Sequence, residues 1–206
     1  MNLGNHLSEA LRAMGAELGA RQEVLLLDYL ALLAKWNRTY NLTAIHEPER
    51  MLTHHLLDSL AILPAVSAGP MLDVGSGAGL PGIPLAIARP ELRLTLLDSS
   101  QKRCGFMNQA AIQLKLDNVE VAHARAEDFQ PGMKYPQIVS RAFSDLSEFV
   151  KVTAHLLADK GEWLAMKGLY PDDEIAQLKG ARVKRHQRLH VPGLDAERHL
   201  IIMEMD

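Results

Sequence analysis

Apolar residues recur at helical spacing through the first third of the chain. Leu7, Leu11, Met14 and Leu18 mark one helix, and Val24, Leu27, Leu30, Ala31 and Ala34 mark a second. A third opens at Pro48, carries Leu52, Leu56, Leu60 and Leu63, and stops at Pro64. From Met71 the pattern changes to short apolar runs separated by helical periodicity. Residues 71–74, 92–97, 119–122, 137–140 and 163–166 read as buried strands. Strand alternating with helix in this way predicts an α/β fold with a doubly wound, Rossmann-like sheet.

Between the strands, residues 83–88, 101–116 and 145–157 suit helices, the last opened by a capping box in which Asp145 precedes Glu148 by three positions. Pro171 followed by Asp172, Asp173 and Glu174 starts another, with acids at its positive end. The tail holds two β-like runs around Pro192, Gly193 and Asp195, which predict a C-terminal antiparallel hairpin ending the sheet. The expected organisation is an N-terminal helical extension over residues 1–66, packed on a Rossmann-like body over residues 67–206.

Composition narrows the class. The chain has 206 residues, 48% hydrophobic and 23% charged, enough to bury a core without a disulfide or metal staple. Its one cysteine, Cys104, can close no internal bridge and build no Cys-based zinc site, which points to a reducing, cytoplasmic location. The apolar runs are too short to span a bilayer and the first residues lack a signal-peptide core, so no membrane partner is expected. A net charge of −3 gives no bulk sign of a nucleic-acid partner. The distribution tells more: Lys179, Arg182, Lys184, Arg185 and Arg188 form a basic run with no acid between Glu174 and Asp195.

The richest stretch runs Asp73-Val74-Gly75-Ser76-Gly77-Ala78-Gly79-Leu80-Pro81-Gly82, directly after the first strand and before a helix. Glycines there let the backbone turn tightly and approach a ligand at the carboxyl ends of the strands, which implies a nucleotide-like ligand. Asp98 ends the second strand, where a carboxylate can accept bonds from both ribose hydroxyls, and Ala126-Glu127-Asp128 follow the third. Taken singly, each acid could be a cap or a solvated loop residue. Their joint spacing behind three successive strands points to a ligand. Two cofactors fit. Gly77, Gly79 and Gly82 satisfy the dinucleotide pattern G-x-G-x-x-G, which would make an NAD(P)-dependent oxidoreductase. The order Asp73, Gly75, Gly77, Gly79 resembles motif I of class I S-adenosylmethionine-dependent methyltransferases, and the acidic element after the third strand resembles their adenine-contacting loop.

Missing motifs narrow the substrate. Amino-methylating nucleic-acid enzymes carry Asn or Asp before Pro-Pro-aromatic after strand four, where this chain has Val139-Ser140-Arg141-Ala142-Phe143. Cytosine C5 methylation needs an attacking thiolate, but Cys104 lies within a helix, where it reads as a packing thiol. The N7 of guanine needs neither base nor covalent help, because it has a free lone pair and no proton to lose. Trp36 and Tyr40, at i and i+4, read as packing residues. His55 and Asp58, three apart on one helix, lack further ligands for a metal and read as a hydrogen-bonded packing pair.

Over nearly its whole length the chain resembles the bacterial 16S ribosomal RNA guanine-N7 methyltransferase family, also called glucose-inhibited division protein B. The matching stretches are Lys35-Trp36-Asn37 with Tyr40-Asn41-Leu42-Thr43, His55-Leu56-Leu57-Asp58-Ser59, the loop from Asp73 to Pro84, Leu97-Asp98-Ser99 with Lys102-Arg103, Ser140-Arg141-Ala142-Phe143, Lys167-Gly168 and Glu197-Arg198-His199. The resemblance implies S-adenosylmethionine as cofactor and methylation at N7 of the guanosine conventionally numbered 527 in the 530 loop of 16S ribosomal RNA, naked or within a small-subunit particle. It implies that Gly75, Gly77, Gly79, Leu80, Ala126, Glu127 and Arg141 line the cofactor site, with Asp98 a ribose partner. Arg141 is the candidate catalytic residue, and Lys102, Arg103, Arg125, Lys167 and Arg198 are candidate RNA contacts. No metal and no second subunit is expected. A non-catalytic RNA-binding accessory protein with a vestigial pocket remains the alternative outside enzymes.

Overall fold

A computed structural model of the chain describes residues 2–141 and 143–206. Helices α1 (Leu3–Ala13) and α2 (Ala20–Tyr40) lead into a third helical segment, which is α-helical over Pro48–Met51 (α3), widens to a π-helix over Leu52–Leu57 and returns to α over Asp58–Leu60 (α4). The sequence pattern predicts one uninterrupted helix there. The π turn is invisible to it because apolar residues still fall on the buried side: Leu52, Leu56 and Leu57 are fully covered.

The sheet has seven strands: β1 (Met71–Val74), β2 (Leu94–Asp98), β3 (Val119–His123), β4 (Tyr135–Ser140), β5 (Leu157–Lys167), β6 (Ala181–Arg188) and β7 (His199–Met205). Their order is β3-β2-β1-β4-β5-β7-β6. The first five run parallel, and β7 enters antiparallel between β5 and β6, forming the expected hairpin at the sheet's end. Helices α5 (Gly82–Ala88), α6 (Gln101–Leu114), α7 (Leu146–Thr153) and the short α8 (Asp172–Ala176) connect the strands.

Several boundaries differ from the sequence pattern for identifiable reasons. Helix α6 stops at Leu114 because Lys115 turns left-handed at φ 54°, although apolar Leu116 continues the period. Strand β5 starts at Leu157, earlier than its apolar run: Leu157 pairs with Tyr135, and the register then shifts across residues 158–161, where Asp159 and Lys160 interrupt the hydrophobicity, to set Glu162 opposite Gln137. Strand β3 is only partly covered, where a buried strand is predicted, because it lies at the sheet edge. At α7, Asp145 accepts from the Glu148 backbone N–H at 2.8 Å, which is one half of the predicted capping box.

Two apolar layers sandwich the sheet. On one face Ile83, Leu96, Phe106 and Leu164 pack with Leu7, Leu26, Tyr29 and Leu33 of the N-terminal helices in one continuous cluster. On the other, Phe149 and Leu146 of α7 cover Leu72, Ile138, Trp163 and Ile201. Trp36 stacks on Tyr40 at 5.0 Å and meets Phe106 edge-on at 5.6 Å, so the tryptophan and tyrosine are packing residues. Among the described residues no helix is long and apolar enough to cross a membrane. The strand order reverses between β1 and β4, and open α/β sheets bind ligands at the carboxyl ends of strands at such a point.

Candidate functional site

The glycine loop leaves β1 at this reversal. Gly75 and Gly77 have φ of 69° and 59°, the left-handed region in which a side chain strains the backbone. Gly82, at the start of α5, answers a different need: a Cβ there would collide with the Leu96 side chain and lie 2.8 Å from Asp73 Oδ2. The glycine therefore lets α5 dock on the sheet.

Two carboxylates of the strand ends hold this loop. Asp73 Oδ2 accepts from Gly82 N–H at 2.9 Å, and Asp98 Oδ2 accepts from Gly77 N–H at 2.9 Å. The other Asp98 oxygen, Oδ1, accepts from Ser100 N–H at 2.8 Å, and Arg103 Nη1 lies 3.5 Å from Oδ2. Asp73 has no solvent exposure, and burial pushes its carboxyl up to about 7 against the opposing pull of the Gly82 N–H and the Arg141 charge. Among the described residues, the Ala78 N–H and the Gly75 and Gly77 carbonyls have no hydrogen-bond partner, so the loop offers a ligand one donor and two acceptors.

A cavity of about 210 Å³ lies on the loop, lined by Gly75, Gly77 and Leu80 together with Thr43, Arg103 and Arg141. A second, of about 320 Å³, is lined by His54, Asp58, Lys167 and Arg198. The two share His55 and Arg141 as their common wall. Arg141 leaves the end of β4 and donates from Nη1 to Asp58 Oδ2 at 3.1 Å and to the His54 carbonyl at 3.2 Å. Asp58 is 2% exposed, and its other oxygen accepts from Arg198 Nε at 2.9 Å. One buried carboxylate thus joins the third helical segment, β4 and the start of β7.

The predicted pairing of His55 with Asp58 is not what forms. His55 Nε2 meets Thr43 Oγ1 at 2.8 Å, because the π turn sends the two side chains to different partners. Burial, followed by the Arg141 charge, pushes the imidazole down to about 4, so it is neutral near pH 7, and its Nδ1 is buried without a partner. No set of three His, Cys, Asp or Glu among the described residues could hold a metal ion. Cys104 is buried and its thiol donates to the Asp98 carbonyl at 3.3 Å, the packing role its position predicts.

The remaining predicted residues divide. Gly79 lies behind the loop, where a Cβ would collide with Ile83. Ala126 and Glu127 form a 3₁₀ turn after β3 and do not line the 210 Å³ cavity. Lys102 donates to the Tyr40 carbonyl at 2.7 Å, and Arg125 is exposed. Lys167 is held by Glu174 at 2.6 Å and by the Ser144 carbonyl at 3.0 Å. In the basic run, Arg182 pairs with Glu204, Lys184 with Glu162 and Glu204, and Arg188 with Glu197. Sequence reasoning passed over Thr43, His55 and Asp58 as site residues, although all three stand in the stretches that carry the family resemblance. A groove of about 1100 Å³ lies away from the loop along Arg93, Leu94, Asn118 and Val119, at the opposite strand ends.

Comparison with known proteins closes the choice between cofactors that the glycine pattern leaves open. Among solved structures, the chain is similar to an S-adenosylmethionine-dependent methyltransferase from Geobacter sulfurreducens in complex with S-adenosylhomocysteine, with 14% identity, a TM-score of 0.56, and coverage of 83% of this chain and 97% of that one. A counterpart from Thiobacillus denitrificans, in complex with the same molecule, gives 15% identity, a TM-score of 0.54 and coverage of 84% and 98%. At such identities the likeness establishes the fold, that of S-adenosylmethionine-dependent methyltransferases. Curated relatives named ribosomal RNA small subunit methyltransferase G are far closer. The protein of Laribacter hongkongensis is 56% identical over 202 residues, 98% of each chain, and that of Neisseria gonorrhoeae 50% identical over 205 residues, 98% of this chain and 99% of its own. The family model described as rRNA small subunit methyltransferase G matches residues 22–201. On this sequence and this fold, the chain belongs to the rRNA small subunit methyltransferase G family.

Proposed function

We propose that this protein transfers the methyl group of S-adenosylmethionine to N7 of guanosine 527 in the 530 loop of 16S ribosomal RNA, acting as a cytoplasmic monomer on naked RNA or a small-subunit particle. The observation that carries the reading is that the cavity on the glycine loop and the cavity beside Asp58 and Arg198 meet at His55 and Arg141. A methyl donor in the first would face an acceptor in the second.

The residues suit that donor. S-adenosylmethionine carries an amino-acid end and a ribose, and when bound it supplies a methyl on a positively charged sulfur. The free Gly75 and Gly77 carbonyls suit its ammonium group and Arg141 suits its carboxylate, while Asp98, outside the cavity lining and already accepting from Gly77 and Ser100 N–H, would meet the ribose hydroxyls through its remaining lone pairs. Leu80 gives an apolar wall and Gly79 shapes the loop from behind, while Ala126 and Glu127, outside the cavity lining, are assigned to the adenine through the resemblance of their turn to the methyltransferase loop after the third strand. On the acceptor side, Arg103 lines the first cavity and Lys167 and Arg198 the second, and these three serve as phosphate contacts together with Lys102 and Arg125, which lie outside both linings.

The chemistry asks the protein mainly for position. N7 has no proton to lose, so no general base is required, and alignment of donor and acceptor can contribute roughly 7–11 kcal/mol to the barrier reduction. The guanine becomes cationic as the methyl arrives while the sulfur loses its positive charge, so the transfer moves charge between the two cavities without creating it. Purified protein incubated with methyl-labelled S-adenosylmethionine and 16S ribosomal RNA or small-subunit particles should place label in the RNA. Binding of NAD(H) without saturable binding of S-adenosylhomocysteine would overturn the reading.

A further inference from the structure

The glycine loop has a third support besides Asp73 and Asp98, and it comes from the N-terminal helices. Tyr29 of α2 is fully buried, and its hydroxyl donates to the Ala78 carbonyl at 2.6 Å across 49 residues of sequence. Burial holds the phenol well above its ordinary range, so it is a permanent donor. The peptide it grips is gripped at its other end too, since Gly79 N–H donates to the Ser76 carbonyl at 2.8 Å. Both polar atoms of the Ala78 to Gly79 peptide unit are therefore committed. The adjoining Ala78 N–H and Gly77 carbonyl, one peptide earlier, are left free for a ligand.

We infer that Tyr29 is a positioning residue for cofactor binding, fixing the loop so that its free main-chain groups face the cavity, and that the N-terminal helices thereby set the affinity for the methyl donor. The inference rests on the assignment of this loop to the cofactor. The physical basis is preorganisation: a loop fixed before binding loses less entropy when the ligand arrives. A second contact couples the same helix to the same unit, because Gln22 Nε2 of α2 donates to the Ala88 carbonyl at 2.7 Å, at the far end of α5. Coupling of this kind is reciprocal, so a bound cofactor must in turn stabilise the docking of α2.

The test is Tyr29→Phe, which removes the hydroxyl and keeps the ring packed between its neighbours. Calorimetry with S-adenosylhomocysteine should show affinity weakened about three- to tenfold relative to wild type, a loss typical of one buried neutral hydrogen bond. KM for S-adenosylmethionine should rise by the same factor, with KM for RNA and kcat at saturating cofactor unchanged. Leu33→Val, a core change on the same helix away from the loop, is the control for general destabilisation. Wild-type affinity in Tyr29→Phe overturns the inference, and so does an equal loss in Leu33→Val. If Tyr29→Phe does not fold, hydrogen exchange on the wild-type protein decides: S-adenosylhomocysteine should slow amide exchange in α2, and unaltered exchange there contradicts the coupling. A wild-type protein that fails to bind S-adenosylhomocysteine removes the loop assignment itself, and this inference with it.

Discussion

Two regions of this molecule pair cations with carboxylates in opposite settings. On β6, Arg182, Lys184 and Arg188 stand 66%, 47% and 70% exposed, each bonded to a glutamate. At the carboxyl end of the sheet, Arg141 and Arg198 share one aspartate, Asp58, whose side chain is 3% exposed. The first region has the denser run of basic residues in sequence, yet three of its cations are paired with glutamates at positions open to water, where such pairs are screened and count for little. The second has only two arginines, but they converge from segments far apart in sequence on a buried anion and enclose a cavity. The two regions thus differ in burial and convergence, and the one with the denser basic sequence is the less buried of the two.

The contrast can be broken experimentally, starting where the largest change is expected. Gly75→Leu places a side chain at positive φ on the cavity wall and should reduce S-adenosylhomocysteine affinity by a factor of about 100 or more, measured by calorimetry. Asp58→Ala leaves two arginines facing an emptied, buried position and should cost about 3–5 kcal/mol in denaturant unfolding, with activity abolished as well. Arg141→Ala should lower methyl transfer about tenfold or more while circular dichroism stays native. Lys102→Ala or Arg125→Ala should each weaken RNA binding modestly and flatten its log–log salt dependence by roughly 0.7 to 0.9 for each phosphate the side chain neutralises. Removing Arg182 and Lys184 together should leave the melting temperature and the RNA affinity at wild-type values; a large drop in RNA binding would move the docking surface to β6.

A pH series sharpens the same comparison, because the buried end titrates and the exposed edge contributes little. His55 is pushed down to about 4, so the unfolded chain binds the extra proton and stability rises with pH between about 4 and 6.5. Asp73 is pushed up to about 7, so the folded chain binds the extra proton and stability falls with pH over a window from about 4 to 7. The two slopes oppose each other in the wild type. Asp73→Asn should unmask the rise, and His55→Gln the fall, in urea unfolding followed from about pH 4 to 7.

Much of this was legible in the sequence, and the gaps have physical causes. The residues of β1 and the glycine loop declare themselves because apolar strand, glycine turn and helix follow one another without interruption, and strand-end Asp98 falls where its backbone partner Gly77 needs it. The cofactor end is thus a local signal. The contact of Arg198 with Asp58 spans 140 residues and that of Arg141 with Asp58 spans 83, so no window of sequence contains either. Tyr29 is hidden for another reason: within an apolar helical stripe a tyrosine reads as core, and nothing local shows that its hydroxyl ends on Ala78. The glutamates that pair with Arg182, Lys184 and Arg188 of the basic run were equally out of view, since they sit on β5, on β7 and just before β7, and strand neighbours are set by topology.

The central claim is that the joined cavities deliver a methyl group to one guanine nitrogen of small-subunit RNA. The most direct measurement incubates small-subunit particles lacking the modification with the purified protein and S-adenosylmethionine, then locates N7-methylguanosine by chemical strand scission and primer extension. The account predicts a single protein-dependent stop at guanosine 527, abolished with Gly75→Leu and strongly reduced with Arg141→Ala. A methyl group found at another nucleotide, at another atom of that guanine, or nowhere in the RNA would contradict it.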